Sequence, residues 1–147
     1  MSENTEKAAF ICSRDTLDGA YPALILGINA RRLGMRAMVF FTFMGLNVIR
    51  EGWLDKVKFH PPGAIGAIPG MARMATWMMK QKMEKAQIPD LEDILTMAQM
   101  EGVEFVACQM TVDMMELEKD DFIEGVEIWN AEDFLKYAKD CKISLFT

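Results

Sequence analysis

Three cysteines are the residues of this 147-residue chain whose types and spacing first suggest chemistry. They are Cys12, Cys108 and Cys141, and no two of them form the Cys-x-x-Cys pair found in redox motifs and many zinc sites. With His60 as the only histidine, the pattern predicts no metal site. An odd, sparse set of cysteines is a poor disulfide framework and fits a reducing compartment. Any cysteine chemistry must therefore use a single thiol.

Cys108 has the most informative surroundings of the three. It ends VEFVAC (103–108), which is typical of a buried strand, and precedes QMTVDMM, which predicts a helix start with Thr111 as N-cap. Backbone N–H groups at a helix start stabilise a thiolate and lower the thiol's pKa from its usual ~8.5, and a thiolate attacks sulfur or carbon electrophiles. Unpaired cysteines in strands are also often plain core residues, so both interpretations stay open. Cys12 and Cys141 are predicted to be structural.

The elements that must position this thiol alternate along the chain. Besides 103–108, strands are predicted at 8–13, 36–43, 126–129 and 142–147. Helices are predicted between Asp18, as N-cap, and Gly34; at 71–86; at 88–102, between Asp90 and Gly102; and after Asn130. This alternation predicts one α/β domain over residues 1–147, a three-layer sandwich with a five-stranded, mainly parallel sheet.

The ends of these strands form the predicted site. In open parallel sheets, ligands bind outside the carboxyl ends of the strands. Ser13, Arg14, Thr42 and Phe43 end their strands on the edge where Cys108 ends its own. Segment 60–70 is rich in proline and glycine and is predicted to be an exposed, mobile loop. It matches neither the P-loop nor the GxGxxG pattern, so no nucleotide cofactor, or any other cofactor, is expected.

Charge is unevenly distributed along the sequence. Residues 1–86 carry a net charge of +5 and residues 87–147 a net charge of −11, which together give −6. An acidic total argues against nonspecific binding of nucleic acid. The acidic last third is either a solvated face or a surface for a basic protein partner. The longest apolar run, 37–46, is too short to cross a bilayer, and the first residues lack a signal-peptide pattern, so a cytoplasmic location is expected.

The helix predicted at 71–86 is unusually rich in methionine. Met71, Met74, Met78 and Met79 lie on or near one stripe, which Trp77 and Met83 widen. Such a stripe binds a soft metal ion such as Cu(I), covers the sheet, or meets another subunit. The other two long helices already have apolar faces for the core, which favours a subunit contact near the Cys108 edge.

Two segments carry a family resemblance. FFTFMGLNVIREG (40–52) and ACQMTVDMM (107–115) together resemble the DsrE/DsrF/DsrH-like family, specifically its DsrE-type members. The resemblance implies a parallel α/β sandwich that assembles into trimers or larger rings. It also implies that one cysteine, which matches Cys108, carries sulfane sulfur as a persulfide. The pocket that follows from this resemblance and from the strand ends contains Cys108 together with Ser13, Arg14, Thr42, Phe43, Gly45, Met110 and Asp113.

Two functions follow as hypotheses. The first is a cytoplasmic sulfurtransferase or persulfide carrier that moves sulfane sulfur through Cys108 to an acceptor protein thiol. The second is a non-catalytic, oligomeric binding or assembly module of sulfur metabolism. The expected partners are sulfur-donor and sulfur-acceptor proteins and further copies of the chain, in a trimer or a multiple of it, with no nucleic acid and no membrane span.

Overall fold

The computed structural model describes residues 5–59 and 63–147 of the chain. Its strands are β1 (Lys7–Cys12), β2 (Arg36–Phe41), β3 (Glu104–Cys108), β4 (Glu127–Trp129) and β5 (Ile143–Phe146). Its α-helices are α1 (Leu17–Arg32), α2 (Met71–Lys85), α3 (Leu91–Glu101), α4 (Gln109–Met114) and α5 (Ala131–Ala138). Short 3₁₀ helices occupy Phe43–Val48, Leu54–Lys56, Gly63–Ala67 and Lys119–Asp121.

The five strands form one parallel sheet in the order β4-β3-β2-β1-β5. Nine of the twelve residues of β1 and β2 are buried, as expected for strands that are covered on both faces. The predicted α/β fold class, with a five-stranded parallel sheet between helices, is confirmed.

Alternate strand residues point to opposite faces of this sheet. On the α1/α3 face, Phe10, Val39 and Phe105 pack in one core cluster with residues of α1 and α3. Leu24 of α1 is fully buried there, which contributes ~1.5–3 kcal/mol. On the α5 face, a smaller cluster contains Cys108 and Tyr137. Cys108 therefore lies on the more thinly covered side of the sheet.

Most helix boundaries predicted from capping residues agree with the structure. Asp90 and Asn130 are the N-caps of α3 and α5, and Gly102 ends α3 with a positive φ of 91°. The predicted N-cap of α1 is wrong: the helix begins at Leu17, and Thr16 is the N-cap. The backbone N–H of Leu17 donates to the carbonyl of Lys58, a distant partner that fixes the helix start one residue before Asp18.

The segment before α2 and the helix itself differ in part from expectation. Residues 60–62, which include His60, lie outside the described residues. Residues 63–70 are nearly all exposed, as predicted, but they include a 3₁₀ helix. In α2, Met79 and Met83 pack against the core, while Met74, Trp77 and Met78 are exposed. The methionine stripe is therefore divided between the core and the surface.

The sheet has two edges with different character. β4 is a short edge strand, and β5, at the other edge, has all four residues exposed, including Leu145 and Phe146. Within the described residues, no helix is long and apolar enough to cross a membrane.

Candidate functional site at the carboxyl end of β3

Cys108 is the last residue of β3 and the N-cap residue of α4. Its side chain lies in the α5-face cluster with Phe40 and Val106, and only 7% of its surface is exposed. The residue after it begins α4, so the chain turns sharply at the thiol. Cys108 is therefore both a packed residue and the residue at which a strand passes into a helix.

The register of the sheet brings Thr42 and Ser13 level with Cys108. Cys12 is paired with Phe41, and Phe41 with Ala107, so the next residues of the three chains are Ser13, Thr42 and Cys108. The backbone N–H of Thr42 donates to the carbonyl of Cys12 at 3.0 Å, which continues the ladder by one step. The carboxyl ends of β1, β2 and β3 therefore lie side by side at one end of the sheet.

Thr111 is the residue whose role the sequence did not indicate. It was predicted to be the N-cap of α4, but the N-cap is Cys108, three residues earlier, and the helix starts at Gln109. Its fully buried hydroxyl instead accepts a hydrogen bond from the backbone N–H of Phe43 at 3.1 Å and lies 3.3 Å from the Thr42 hydroxyl. Phe43 has a φ of 48°, an uncommon value for an aromatic residue. Thr111 thus ties the turn after β2 to the start of α4.

Gly45 has a packing role in the same turn. A β-carbon at this position would overlap the carbonyl oxygen of Cys12 and lie 2.8 Å from its carbonyl carbon. Both atoms belong to the backbone at the end of β1 and have little freedom to move. Gly45 therefore allows the Phe43–Val48 turn to sit directly on the end of β1.

The remaining predicted pocket residues divide into two groups. Met110, which is 61% exposed, and Asp113, which accepts a hydrogen bond from Gln109 at 2.8 Å, belong to α4, the helix that starts directly after Cys108. Ser13 donates through its hydroxyl to the carbonyl of Thr147, and Arg14 pairs with Asp18 at the start of α1. Ser13 and Arg14 therefore make their contacts near β1 and β5, away from β3.

The other two cysteines occupy different environments. Cys12 is fully buried on the α1/α3 face, where its thiol donates to backbone carbonyls, and burial raises its pKa to about 11. Cys141 donates its thiol to the carbonyl of Tyr137 near the amino ends of the strands, and burial also raises its pKa. All three cysteines are free. Cys12 lies on the opposite face of the sheet from Cys108, and Cys141 packs against the same α5-face cluster as Cys108 but near the amino ends of the strands.

The larger cavities do not coincide with the thiol. A groove of about 520 Å³ lies between the starts of α1 and α3 and the second half of α2, and none of the predicted pocket residues lines it. Among residues 5–59 and 63–147, no group of three His, Cys, Asp or Glu side chains is arranged to hold a metal ion. The groove is therefore separate from the thiol.

The five-stranded parallel sheet, with helices on both faces and a cysteine at the turn from β3 into α4, defines the class of α/β protein to which the chain belongs. The chain belongs to the DsrE/DsrF/DrsH-like family, because the sequence model of that family matches residues 4–146. This result confirms the resemblance found in the two sequence segments.

Two curated relatives span nearly the whole chain. The sulfur carrier protein DsrE2 of Allochromatium vinosum is 37% identical over 96% of this chain and 98% of its own length. The uncharacterized protein YrkE of Bacillus subtilis is 28% identical over 99% of both chains.

Two solved structures share the fold at low sequence identity. The ychN protein of E. coli superposes with a TM-score of 0.65 at 13% identity and covers 97% of this chain and 100% of its own. Protein MTH1491 of Methanobacterium thermoautotrophicum superposes with a TM-score of 0.57 at 17% identity, covering 95% and 98%. These two similarities support the fold.

Proposed function

We propose that this protein is a sulfur-relay protein in which Cys108 carries sulfane sulfur as a persulfide and passes it to the thiol of an acceptor protein. The observation that carries the proposal is the position of Cys108 at the turn from β3 into α4, in a chain 37% identical to a sulfur carrier protein. We propose that Thr42, Phe43, Met110 and Asp113, at the same end of the sheet, border the site. The activity is of the sulfurtransferase type.

The chemistry requires one nucleophilic sulfur and no cofactor. The Cys108 thiolate attacks the outer sulfur of a donor persulfide, an S–S bond forms at Cys108, and the donor's S–S bond breaks to release the donor thiolate. With a thiosulfate-type donor, sulfite leaves instead. An acceptor thiolate then attacks the outer sulfur on Cys108 and regenerates the Cys108 thiolate. Sulfane sulfur moves between thiols, and the two steps together need no external oxidant or reductant.

The surroundings of Cys108 suit a partner that is a protein. Cys108 is 7% exposed as a residue, whereas Phe43, Met44, Met110 and Met114, in the elements that follow the ends of β2 and β3, are each about half exposed or more. A donor or acceptor cysteine on a protein can approach over this apolar rim, and the rim excludes water from a bound persulfide. We therefore propose sulfur-donor and sulfur-acceptor proteins as the partners.

Mass spectrometry after incubation with a sulfane-sulfur donor tests the proposal directly. Wild-type protein should gain one sulfur atom on Cys108, and the Cys108→Ala variant should gain none. Cys141→Ala, which removes the most exposed of the three cysteines, is the matched control and should load as well as wild type. Equal loading of wild type and Cys108→Ala, or no loading of wild type, would contradict the proposal.

The burial of Cys108 also favours a second candidate, a non-catalytic oligomeric binding or assembly module in which this thiol is a core residue. Alkylation rates in the folded protein separate the two. A carrier needs a Cys108 thiol that an alkylating reagent reaches in the folded protein. Cys12 and Cys141, whose pKa values burial raises, should stay unreactive under the same conditions. A Cys108 that resists alkylation in the folded protein would favour the module.

Assembly and location complete the proposal. We propose that residues 1–147 act as one domain that forms a homo-oligomer, a trimer or a multiple of it, in the cytoplasm. The three free thiols support a location in the reducing cytoplasm. The match of the family model to nearly the whole chain supports a single domain. The net charge of −6 supports protein partners over nucleic acid.

A further inference from the structure

The groove of about 520 Å³ between α1, α2 and α3 is lined largely by apolar side chains. Leu17, Tyr21, Val57 and Leu91 line it and are buried, and they form its floor. Ile88 also lines it and is 41% exposed. The volume lies within the range of ~300–1,000 Å³ that is usual for ligand sites. The groove can therefore take apolar groups of a second molecule.

Carboxylates outnumber cationic groups along this groove. Its charged lining residues are Asp55, Glu84, Asp90, Glu92 and Lys80, and all five are exposed. Within the described part of the chain, none of the five forms an ion pair. Four carboxylates against one ammonium leave the groove with an unpaired negative charge, which favours a cationic occupant.

The start of α3 beside the groove reinforces this preference. A helix start by itself attracts anions, but here its own carboxylates already take that place. Asp90 accepts a hydrogen bond from the backbone N–H of Asp93 at 3.0 Å, and Glu92 adds a second charge in the first turn. Burial and, after it, the charges of Asp90 and Asp93 raise the pKa of Tyr21 to about 12, so the negative field reaches the floor of the groove.

The distribution of the carboxylates favours a peptide over a small ion. Asp55 belongs to the 3₁₀ helix Leu54–Lys56, Glu84 belongs to α2, and Asp90 and Glu92 belong to the start of α3. Three elements thus contribute negative charge. Among the described residues, no three acidic side chains are arranged to hold one metal ion. Several cations spaced along a chain match this distribution better than one compact charge does.

The groove lies toward the same end of the sheet as Cys108 but on the other face. α1 begins five residues after β1 ends, and α3 ends three residues before β3 begins. Because such helices return the chain to the start of the next parallel strand, their own starts lie toward the carboxyl ends of the strands. Leu17 and Leu91 belong to the α1/α3-face core, whereas Cys108 belongs to the α5-face cluster. A molecule in the groove therefore leaves the thiol uncovered.

We propose that this groove binds a basic segment of a sulfur-donor or sulfur-acceptor protein, with apolar side chains of the segment on the floor and Lys or Arg side chains paired with the carboxylates. That the partner is such a protein rests on the proposed function. A segment bound here holds the partner at the end of the sheet where Cys108 lies and raises the effective concentration of its thiol. The groove recruits the partner and takes no part in the sulfur-transfer step.

Peptide binding, followed by fluorescence anisotropy, tests the groove. The probe is the hexapeptide Lys-Leu-Lys-Leu-Lys-Leu, blocked at both ends and labelled with an uncharged dye. Its two comparison peptides replace every lysine by glutamate or every leucine by serine. Wild-type protein should bind the probe at least about tenfold more tightly than either comparison peptide, because the groove uses both charge and apolar contact.

Variants of the lining residues assign the binding to the groove. Glu84→Lys/Glu92→Lys reverses two of its charges and should weaken binding of the probe by about tenfold or more. Ile88→Ser removes an apolar contact without a change of charge and should also weaken binding. The matched control Asp120→Lys/Glu124→Lys changes the net charge equally at exposed positions outside the groove, and it should bind the probe as wild type does. Circular dichroism confirms that each variant is folded.

Three results would overturn the inference. They are a wild-type protein that does not bind the probe, equal affinity for the lysine and glutamate peptides, and equal losses in the groove variant and the matched control. A fourth concerns the kind of occupant. If phenethylammonium binds wild type as tightly as the probe and is lost in the same groove variant, the site is one for a small cation rather than a protein segment.

Persulfide loading, measured in the same samples, separates this inference from the function. The groove variants should load sulfur on Cys108 as wild type does, because the groove is separate from the thiol. Peptide binding that responds as expected, with no sulfur on Cys108, would refute the proposed function and leave the groove as a site for a basic segment. Sulfur on Cys108 of a protein that does not bind the probe would refute the inference and leave the function standing.

Discussion

Replacement of Thr111 by valine tests how the turn after β2 is held against the thiol-bearing strand end. Valine keeps the shape of threonine but removes the hydroxyl, which accepts from the backbone N–H of Phe43 at 3.1 Å and lies 3.3 Å from Thr42 Oγ1. The site is fully buried, so water does not readily replace the lost acceptor. Leaving a donor without its partner in such a place costs ~1–3 kcal/mol.

The positive φ of Phe43 decides how the variant relaxes. A non-glycine residue in the left-handed region carries strain of ~1–3 kcal/mol and stays there only when its surroundings hold it. Without the Thr111 hydroxyl, we expect the turn to release Phe43 rather than keep both the strain and an unpaired N–H. The variant should therefore be less stable and also more open beside Cys108.

Two measurements follow for Thr111→Val. The free energy of unfolding in urea should fall by about 1–3 kcal/mol, with a melting temperature roughly 2–12 °C lower for a chain of this size. If Cys108 is alkylated through local opening of this turn, the same free energy speeds alkylation by roughly 5- to 150-fold.

Thr111→Ser is the matched control because it keeps the acceptor and loses one methyl group, at about 0.8 kcal/mol for the buried carbon. Its Cys108 alkylation rate should stay close to that of wild type. Equal alkylation rates in the valine and serine variants would refute the reasoning, since they would show that the hydroxyl does not hold the turn.

Two further predictions concern the end of β1. Gly45→Ala should cost more than ~3 kcal/mol in urea unfolding, because its β-carbon would overlap backbone of Cys12, beyond the usual range for overpacking. Gly27→Ala, whose β-carbon meets only side-chain carbons, at 3.2 Å or more, is the control, and an equal loss in both would contradict the argument. Burial raises the pKa of the Cys12 thiol from 9.0 to about 11. The stability linked to this shift is fully present below pH 9, and the free energy of unfolding falls by roughly 3 kcal/mol as the pH rises through 11. Cys12→Ala should flatten that part of the stability profile, and an unchanged slope would contradict the assignment.

Much of the fold could be predicted because its signals are local. Apolar runs bounded by turn residues predicted the strands within a few residues, and Asp90 and Asn130 capped their helices as expected. These features depend on residues within about four positions of one another, so the local sequence is enough to predict them.

The errors arose where the deciding partner is distant in the chain. The start of α1 depends on a hydrogen bond from Leu17 to Lys58, and the role of Thr111 depends on Phe43, 68 residues away. Similarly, helical spacing placed the methionines of α2 on a stripe, but only the contacts of Thr76 with Phe59 show which side faces inward. Residue type identified Cys108 as a candidate thiol, whereas the surface around it depends on these long-range contacts.

The strand order also governs how the chain reaches this structure. β1 pairs on one side with β2, which follows soon after it, and on the other with β5, nearly the whole chain away. Pairing across so long a loop loses chain entropy before contact energy is gained, and it slows folding. Until β5 has been synthesised, the edge of β1 that contains Phe10 and Ile11 stays without its strand partner. In a nascent chain, this edge is the one most open to strand addition by another molecule and hence to aggregation.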